Sequence, residues 1–391
     1  TGGLVDLQPA GNLLVTNPAG TITTGGGNVT LGGSGTINLI TGGTIIQTAG
    51  GNIDFIRPVV LQADTTLNTG AGGGYVAFTN LATVNGNFSG NESVTITTGT
   101  GSVSFGTSAG GTNGAIGNSV PLKALSVTGG ALGFFGPVTT AGGPGEGTID
   151  VTGTTVDFYR PVTTAGTGTV DITHTALLTI DADADFDLGG AFTEDGGGGV
   201  STAGNVVTSG DAVTFNGAVT LTDNHNIDTT DGGGSAAGAD VTYASAVDAD
   251  TAGIQGLTLN MGTAGNLTFQ STVGTGTRTG ALAVTNAANV DFDAAVEAAS
   301  ISQGAGGGTT TFAATVDTSA AAGIDLNGAA FSFQNAVSTT GGGTFTLTNS
   351  GTATFAAAAD VAADGAFYQD GSGAVTFDAT DITTTGDIIR F

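Results

Sequence analysis

The sequence has 391 residues, and its 32 acidic residues against five lysines and arginines give a formal net charge of −27. Because nucleic acids and anionic membranes are bound through clustered basic side chains, this charge excludes both as partners at the level of the sequence. Hydrophobic residues make up 39% of the chain and charged residues 9%, the reverse of a disordered protein, so we expect a folded chain with an apolar core.

The residue types predict an all-β fold. Thr, Val, Ile and Phe alternate along the chain between Gly, Asn and Asp, whereas the strong helix formers Glu, Lys, Gln, Arg and Met are scarce. Cysteine is absent, so neither disulfides nor thiolate metal sites contribute to stability. The chain opens without a secretion signal and has no apolar stretch of membrane-spanning length, which predicts a mature or excised segment of a soluble protein.

Residues 1–52 precede the clear repeats, and we expect them to form N-terminal coils or a cap. From residue 53 onward a short motif recurs, consisting of an aromatic residue, two variable residues, a small residue or Pro, and Val. An apolar residue stands two positions before most of these aromatics, which puts both side chains on one face of a strand. The sequence therefore predicts nine core aromatics: Phe55, Phe134, Phe158, Phe215, Tyr243, Phe269, Phe292, Phe312 and Phe333.

A longer repeat lies over the short one and divides the chain into super-repeats at residues 53–213 and 214–391. Phe134 and Phe158 are 24 residues apart, whereas their counterparts Phe292 and Phe333 are 41 apart and enclose an extra copy of the motif at Phe312. Only a stack of self-similar layers accepts a whole inserted unit without rebuilding the fold. We therefore predict one continuous parallel β-solenoid, or β-helix, of roughly 17 coils.

The motif and its linkers resemble the repeats of very large bacterial surface and secreted proteins of the filamentous-haemagglutinin-like class. The resemblance is carried by the repeated aromatic motif, by the T-T-G-G-G linkers at Thr23 and Thr339, and by the G-A-F-x-x-D-G elements at Gly190 and Gly365. It covers nearly the whole chain from about residue 50 onward. The resemblance implies an extracellular β-helical adhesin, filament or biofilm-matrix protein.

One acidic run has the residue types of a Ca²⁺ site. It contains Asp181, Asp183, Asp185 and Asp187, which a strand would place on one face, and hard cations favour several carboxylate oxygens at one point. The run lacks the Gly and Glu that complete an EF-hand loop, so a solvated acidic strand edge is the favoured interpretation and Ca²⁺ binding is the alternative. We expect no other cofactor.

No arrangement of residues points to catalysis, and we expect no enzymatic activity. His174 and His225 lie in ordinary Thr and Asn contexts, and the Gly-rich runs lack the strand, lysine and helix of a phosphate-binding loop. β-Helices also include polysaccharide lyases and hydrolases, which work with paired carboxylates or a basic residue. A polysaccharide-acting enzyme is therefore the alternative function.

The last residues, Gly386 to Phe391, align with Gly210 to Phe215 and stop where another coil is expected. Either the chain is a fragment of a longer repeat protein, or its end stacks on the first coil of another copy. Such a contact does not close on itself and produces a filament. We favour the filament, with Ile388, Ile389 and Phe391 at the assembly end.

Together these features predict an extracellular or cell-surface structural and adhesive protein. Its expected partners are further copies of the same chain, joined end to end, and glycans or other surface proteins.

Overall fold

The computed structural model describes residues 3–16, 21–40, 43–79, 81–107, 113–143, 146–379 and 381–391. The fold is all-β, and its parallel strands stack into a β-solenoid of about 16 turns. This confirms the predicted fold class, and the number of turns is close to the roughly 17 coils expected from the sequence. The chain forms two compact units, residues 1–198 and residues 199–391. The super-repeat boundaries inferred from the sequence stay a prediction.

The first unit contains short strands, most of them three to five residues long. They are β1 (Val5–Leu7), β2 (Leu13–Val15), β3 (Thr21–Thr23), β4 (Val29–Leu31), β5 (Ile37–Leu39), β6 (Thr44–Gln47), β7 (Ile53–Phe55), β8 (Val59–Leu61), β9 (Thr65–Asn68), β10 (Val76–Phe78), β11 (Val84–Gly86), β12 (Ser93–Thr97), β13 (Val103–Phe105), β14 (Ala124–Thr128), β15 (Ala131–Phe134), β16 (Val138–Thr140), β17 (Ile149–Phe158), β18 (Val162–Thr164), β19 (Val170–Ile180), β20 (Phe186–Leu188) and β21 (Phe192–Glu194).

The second unit continues the same pattern of short strands and contains one helical turn, the 3₁₀ segment Asp231–Gly233. Its strands are β22 (Gly199–Thr202), β23 (Val206–Thr208), β24 (Val213–Phe215), β25 (Val219–Leu221), β26 (His225–Asp228), β27 (Val241–Tyr243), β28 (Val247–Ala249), β29 (Leu257–Asn260), β30 (Leu267–Phe269), β31 (Thr279–Asn286), β32 (Val290–Phe292), β33 (Val296–Gln303), β34 (Thr309–Phe312), β35 (Val316–Thr318), β36 (Ile324–Gly328), β37 (Ala330–Phe333), β38 (Val337–Thr339), β39 (Phe345–Asn349), β40 (Ala353–Phe355), β41 (Val361–Ala363), β42 (Phe367–Gln369), β43 (Val375–Phe377), β44 (Ile382–Thr384) and β45 (Ile389–Arg390).

Each repeated motif forms one corner of a coil. In the copy at Phe55, β7 ends on the aromatic residue and β8 begins on Val59, and both strands bury alternate side chains. Pro58 lies in the turn between them, where its missing N–H costs no ladder hydrogen bond and its carbonyl accepts from Ile37 N at 2.8 Å. The motif therefore encodes strand, corner and strand in succession.

Strands at the same position in successive coils pair in parallel and bring equivalent side chains into columns. In the first unit, one column of strands runs through β4, β7, β10, β13 and β15 to the second half of β17. In the second unit, the corresponding column runs through β24, β27, β30, β32, β34, β37, β40 and β43. This in-register stacking aligns the aromatic residues of successive turns into internal ladders.

The aromatic ladder of the first unit includes residues that the motif did not single out. Phe55, Phe78, Phe105, Phe134 and Phe158 stack with ring centroids 4.5 to 5.3 Å apart, and Phe158 then meets Phe186 edge to face. Each such pair contributes roughly 0.5–1.5 kcal/mol beyond the burial of its apolar area.

The second unit carries an equivalent ladder. Its centroid spacings are 4.7 to 5.3 Å, and Phe312 occupies a rung of its own between Phe292 and Phe333. That rung is the additional motif copy that the sequence comparison located. Across both units, all nine aromatics named from the sequence are buried, none of them more than 2% exposed.

Buried threonines close the glycine-rich corners of the first unit. The hydroxyl of Thr140 donates to the carbonyl of Gly147 at 2.6 Å, and Thr69 and Thr98 make the same contact with Gly74 and Gly101. Gly147 has φ of +85°, and a Cβ there would lie 2.6 Å from the carbonyl oxygen of Ala141, so only glycine fits. A polar interior column thus satisfies carbonyls that the turns leave without ladder partners.

Candidate binding groove

A groove of about 500 Å³ crosses four successive turns of the second unit. Four strands position it, because β33, β36, β39 and β42 pair in sequence and each ends at this corner of its coil. The groove is lined by Ala305, Gly306, Asn327, Gly328, Thr348, Asn349, Ser350, Asp370, Gly371 and Ser372. Its surface is therefore built from glycines and from uncharged polar side chains, with one carboxylate.

One wall of the groove is a column of outward-facing polar residues. Asn327 and Thr348 are in register on neighbouring strands, and Asp370 follows on the next turn. Asp370 forms an ion pair with Arg390, whose guanidinium lies 4.6 Å from the ring centroid of Tyr368. Arg390 is thus engaged beside the groove by a carboxylate and an aromatic face.

The floor of the groove lies above a buried amide. Gln303 is 4% exposed, and its Oε1 accepts a hydrogen bond from the hydroxyl of Thr310 at 2.8 Å. Its Nε2 is buried and has no hydrogen-bond partner among the described residues. A Cβ built on Gly306 would lie 2.4 Å from Nε2, and one on Gly328 would lie 3.0 Å from it, so glycine at both positions leaves room for the buried amide.

Two further buried amides near the groove are satisfied, in contrast to Gln303. Nε2 of Gln369 donates to Oδ1 of Asn349 at 2.8 Å and to the carbonyl of Gly371 at 2.9 Å. Nδ2 of Asn349 in turn donates to the carbonyl of Gly351 at 2.6 Å. The fold can therefore pair buried amides at this corner, and the unpaired donor of Gln303 is a local property of its turn.

The acidic run singled out for Ca²⁺ does not lie on one strand face. Asp181 to Asp183 form a turn in which the amide of Asp183 donates to Oδ1 of Asp181 at 3.2 Å, and the strand β20 begins only at Phe186. Asp183 forms an ion pair with Arg160, and Asp187 lies in register with Thr163 on β18. The expectation of four carboxylates on one strand face, with Asp185 among them, is corrected because the backbone turns within the run.

Within the described residues, no group of three or more His, Asp or Glu side chains is arranged to hold a metal ion. In the same part of the chain, no helix combines the length and the apolar character required to span a membrane.

Both histidines are buried rather than presented to solvent. Nε2 of His174 lies 2.8 Å from Oε1 of Glu194, and both side chains of this pair are 0% exposed. Nδ1 of His225 lies 2.5 Å from the carbonyl oxygen of Gly204, so this nitrogen is the protonated donor of a hydrogen bond. Neither imidazole can reach a substrate in solution, and their contacts make them parts of the interior.

The residues named for the assembly end are exposed in the described chain. Ile388 is 63% exposed, Ile389 is 43% exposed and Phe391 is 65% exposed. Ile389 lies in β45 and is in register with Phe367 on the strand beside it. Head-to-tail stacking through these side chains stays a prediction.

No family model, curated protein or solved structure matches the chain. The resemblance to filamentous-haemagglutinin-like repeats therefore stays an interpretation of the motif.

Sequence reasoning missed the groove because it searched for charged and catalytic residue types. One signal was present: Gln303 occupies a strand position that Leu326 and Leu347 occupy on the following turns. A buried amide stands in this otherwise apolar column at Gln303 and again at Gln369, and this becomes visible only after the register of the coils is known.

Proposed function

We propose that this chain is an extracellular structural and adhesive protein, acting through the repeated surface of its coils. The observation that carries the proposal is the separation of residue types between the two faces of the strands, as in the column of β27, β30 and β32. Aromatic and aliphatic ladders occupy the interior, while outward positions carry Thr, Asp, Asn and Ser, as in the column Thr242, Thr268 and Asp291. A surface that repeats the same polar groups at the strand spacing suits many weak contacts acting together.

The charge of the chain supports the same role. A net charge of −27 keeps a repetitive surface soluble and disfavours association with anionic polymers. It favours neutral or cationic partners, including uncharged glycans and basic surface proteins. Display of the chain as an adhesin or as part of a biofilm matrix is the biological setting that we propose.

The groove supports binding more than turnover. Hydrolysis of glycosidic bonds uses two carboxyl groups on opposite sides of the scissile bond. Asp370 is the carboxylate among the residues that line the groove, and it is paired with Arg390. A lyase reaction requires a base that reaches the substrate, and the imidazoles of His174 and His225 are buried. An adhesive role therefore accounts for the groove better than the enzymatic alternative.

The proposal is tested with microspheres coated with the purified chain and placed under flow over layers of cells that display neutral glycans. The proposal predicts retention that exceeds that of microspheres coated with an acidic globular protein of equal charge density, and that falls after enzymatic removal of the glycans. Equal retention of the two kinds of microsphere would contradict an adhesive role. Release of soluble oligosaccharide during the assay would support the enzymatic alternative instead.

A further inference from the structure

We infer that Asn87 is an attachment site for an N-linked sugar, supplied by a diphosphate-activated sugar donor and a separate transferase. The inference rests on the proposed extracellular role, since it concerns how a secreted chain is modified. The sequence contains four Asn-x-Ser/Thr tripeptides, the pattern that asparagine glycosyltransferases accept, and they begin at Asn28, Asn87, Asn91 and Asn266. The structure exposes one of the four along its whole length.

The exposed acceptor tripeptide is the one at Asn87. Asn87, Phe88 and Ser89 are all exposed, and they lie in the turn that follows β11. The ring of Phe88 is 63% exposed. A transferase has to reach the amide nitrogen that receives the sugar and also the hydroxyl two residues later. Both groups face solvent at this turn.

Two of the other tripeptides are built into central strands. Val29 follows Asn28 in β4, Leu267 follows Asn266 in β30, and both apolar side chains are buried. Each of these strands is paired with a parallel strand on both sides. Neither tripeptide can enter a transferase active site without local unfolding of its coil.

The amides of these two asparagines are also engaged. Oδ1 of Asn28 accepts a hydrogen bond from the backbone amide of Asn52 at 2.9 Å. Nδ2 of Asn266, the atom that would bond to a sugar, donates to Oδ1 of Asp240 at 2.9 Å. Oδ1 of Asn266 accepts from Nδ2 of Asn289 at 2.8 Å. These side chains therefore belong to polar ladders that join successive turns.

The tripeptide at Asn91 is withheld by the two residues that follow the asparagine. Glu92 is 3% exposed. The hydroxyl of Ser93 donates to Oδ1 of Asp64 at 2.6 Å, and the backbone amide of Ser93 donates to the same oxygen at 2.9 Å. Because the Ser93 hydroxyl is the group that a transferase recognises, Asn91 is a poor acceptor in the folded chain although its own side chain is exposed.

A buried carboxylate fixes the turn that carries the exposed tripeptide. Oε2 of Glu92 accepts hydrogen bonds from the backbone amides of Asn87 and Phe88, both at 3.2 Å. The amide of Gly90 donates to the carbonyl of Pro121 at 3.2 Å, which fastens the turn to the next coil. The fold thus holds the backbone of this turn in place and leaves its acceptor side chains at the surface.

The modification forms one bond and breaks another. Nδ2 of Asn87 bonds to the anomeric carbon of the donor sugar, and the bond from that carbon to the phosphate oxygen breaks. The electron pair of the broken bond stays on the diphosphate, and one proton of the amide passes to a base of the transferase. A nucleotide sugar and a lipid-linked oligosaccharide both present a sugar activated in this way.

The first test is mapping by mass spectrometry of the protein isolated from the cells that produce it. Peptides that contain Asn87 are expected to carry at least one hexose or N-acetylhexosamine, whereas those with Asn28, Asn91 and Asn266 are expected to be bare. A single hexose would identify a nucleotide sugar as the donor, and a preassembled oligosaccharide would identify a lipid-linked donor. A bare Asn87 in the native protein would overturn the inference.

The second test compares the folded chain with its own proteolytic peptides. Both are incubated with UDP-glucose and a soluble asparagine glucosyltransferase. In the folded chain, Asn87 is expected to be glucosylated roughly tenfold or more faster than the other three sites, which require local unfolding. In the peptides this preference is expected to disappear. Equal rates at the four sites of the folded chain would contradict selection of Asn87 by the fold.

Two substitutions at exposed side chains remove the site without changing the core. Asn87→Gln removes the acceptor asparagine and Ser89→Ala removes the recognised hydroxyl, so both variants are expected to fold like the parent and to lose the sugar. Asn91→Gln is the matched control on the same turn, and it is expected to keep the sugar on Asn87. Undiminished modification of Ser89→Ala would contradict the assignment.

The native mapping is combined with detection of the protein at the cell surface, which separates the site from the proposed role. A sugar on Asn87 of a protein that never reaches the surface would support the site and remove the adhesive role. A bare Asn87 on a protein found at the surface would remove the site and leave the adhesive role intact.

Discussion

Tyr243 stacks on Phe269 with ring centroids 5.0 Å apart and planes within 6° of parallel, and its hydroxyl is buried without a hydrogen-bond partner. The other rungs of this ladder are phenylalanines. Because an unpaired buried hydroxyl destabilises the fold, we expect Tyr243→Phe to raise the free energy of unfolding by about 1 kcal/mol. Urea denaturation of the two proteins at neutral pH measures the difference.

The same hydroxyl makes the free energy of unfolding depend on pH in alkaline solution. Burial raises the pKa of Tyr243 far above its usual value, so the folded chain holds the phenol neutral while the unfolded chain ionises near pH 10. Below about pH 10 the phenol is neutral in both states, and as the pH rises further only the unfolded state is stabilised by ionisation, so the stability of the fold decreases. The free energy of unfolding of Tyr243→Phe is expected to fall less steeply with alkali than that of the parent. Partial burial and the Asp54 charge also raise the pKa of Tyr75, but this side chain is exposed, so Tyr75→Phe is expected to have a smaller effect in the same direction. Parallel alkaline profiles for the parent and Tyr243→Phe would count against this account.

The aromatic ladder is expected to dominate the stability of its turns. Phe292 stacks between Phe269 and Phe312 at centroid distances of 5.2 and 4.8 Å. Phe292→Ala is expected to cost about 3 to 5 kcal/mol, and hydrogen exchange should show the loss of protection concentrated in neighbouring turns. Phe88→Ala, at a ring that is 63% exposed, serves as the control and is expected to cost little. Equal melting of the two variants would show that the ladder is not the stabilising element.

Arg278 ties together three turns of the second unit. Its guanidinium donates to the backbone carbonyls of Ala298 and Asp317 at 3.1 and 3.0 Å and forms ion pairs with Glu297 and with the Asp317 side chain. Because several charge-assisted hydrogen bonds disappear together, Arg278→Met is expected to cost about 2 kcal/mol. Arg390→Met, which removes one exposed ion pair, is expected to cost less than about 1 kcal/mol. Chemical denaturation measures both losses of unfolding free energy, and equal losses in the two variants would contradict the account.

Asp171 lies in an acidic column on the surface of the first unit. Partial burial, together with the charges of Asp150 and Asp195, raises the pKa of Asp171 above its ordinary value near 4. The fold therefore disfavours the charged carboxylate. This loss of stability is absent below the pKa of Asp171 in the unfolded chain, and it develops as the pH rises through the higher pKa of the folded chain. We expect Asp171→Asn to stabilise the chain at pH 7, with the gain shrinking in acid and in high salt.

The control for this variant is Asp187→Asn, because Asp187 has Thr163 rather than a carboxylate in register beside it. A stability gain that is the same for both variants, or that does not depend on pH, would argue against repulsion within the column.

The end-stacking hypothesis makes a prediction of its own. Ile389 presents an exposed apolar side chain on β45, and a lysine there would place a charge in any contact that another copy makes with this strand. Ile389→Lys is expected to stop concentration-dependent growth in sedimentation experiments while the circular dichroism spectrum stays unchanged. A parent chain that remains monomeric at every concentration would remove the hypothesis.

The solenoid was predictable from the sequence because its repeat encodes both strand and corner. In the copy at Phe215, Val213 and Phe215 share a face of β24, and Val219 begins β25 after a short turn. The motif missed Phe78, although Phe78 stacks between Phe55 and Phe105, because its turn is longer and the next valine, Val84, comes later. The aromatic ladder depends on the register in which strands of successive coils pair, and this register is kept when the turns between the strands differ in length.

The candidate groove was not predictable to the same degree. Its floor depends on Gly306 and Gly328 packing against the Gln303 amide, and the contact with Gly328 joins two successive turns that are far apart in the sequence. The acidic run was misread for a related reason, since alternating aspartates resemble a strand although Asp181 to Asp183 form a turn. A period-2 pattern indicates a strand only where the backbone remains extended.

The central claim is that the chain acts outside the cell as a structural and adhesive surface. The most direct measurement is antibody labelling of intact cells that produce the native protein, compared with the same cells after permeabilisation. The account predicts full labelling of intact cells and its loss after brief treatment with protease. Labelling that appears only after permeabilisation would contradict it.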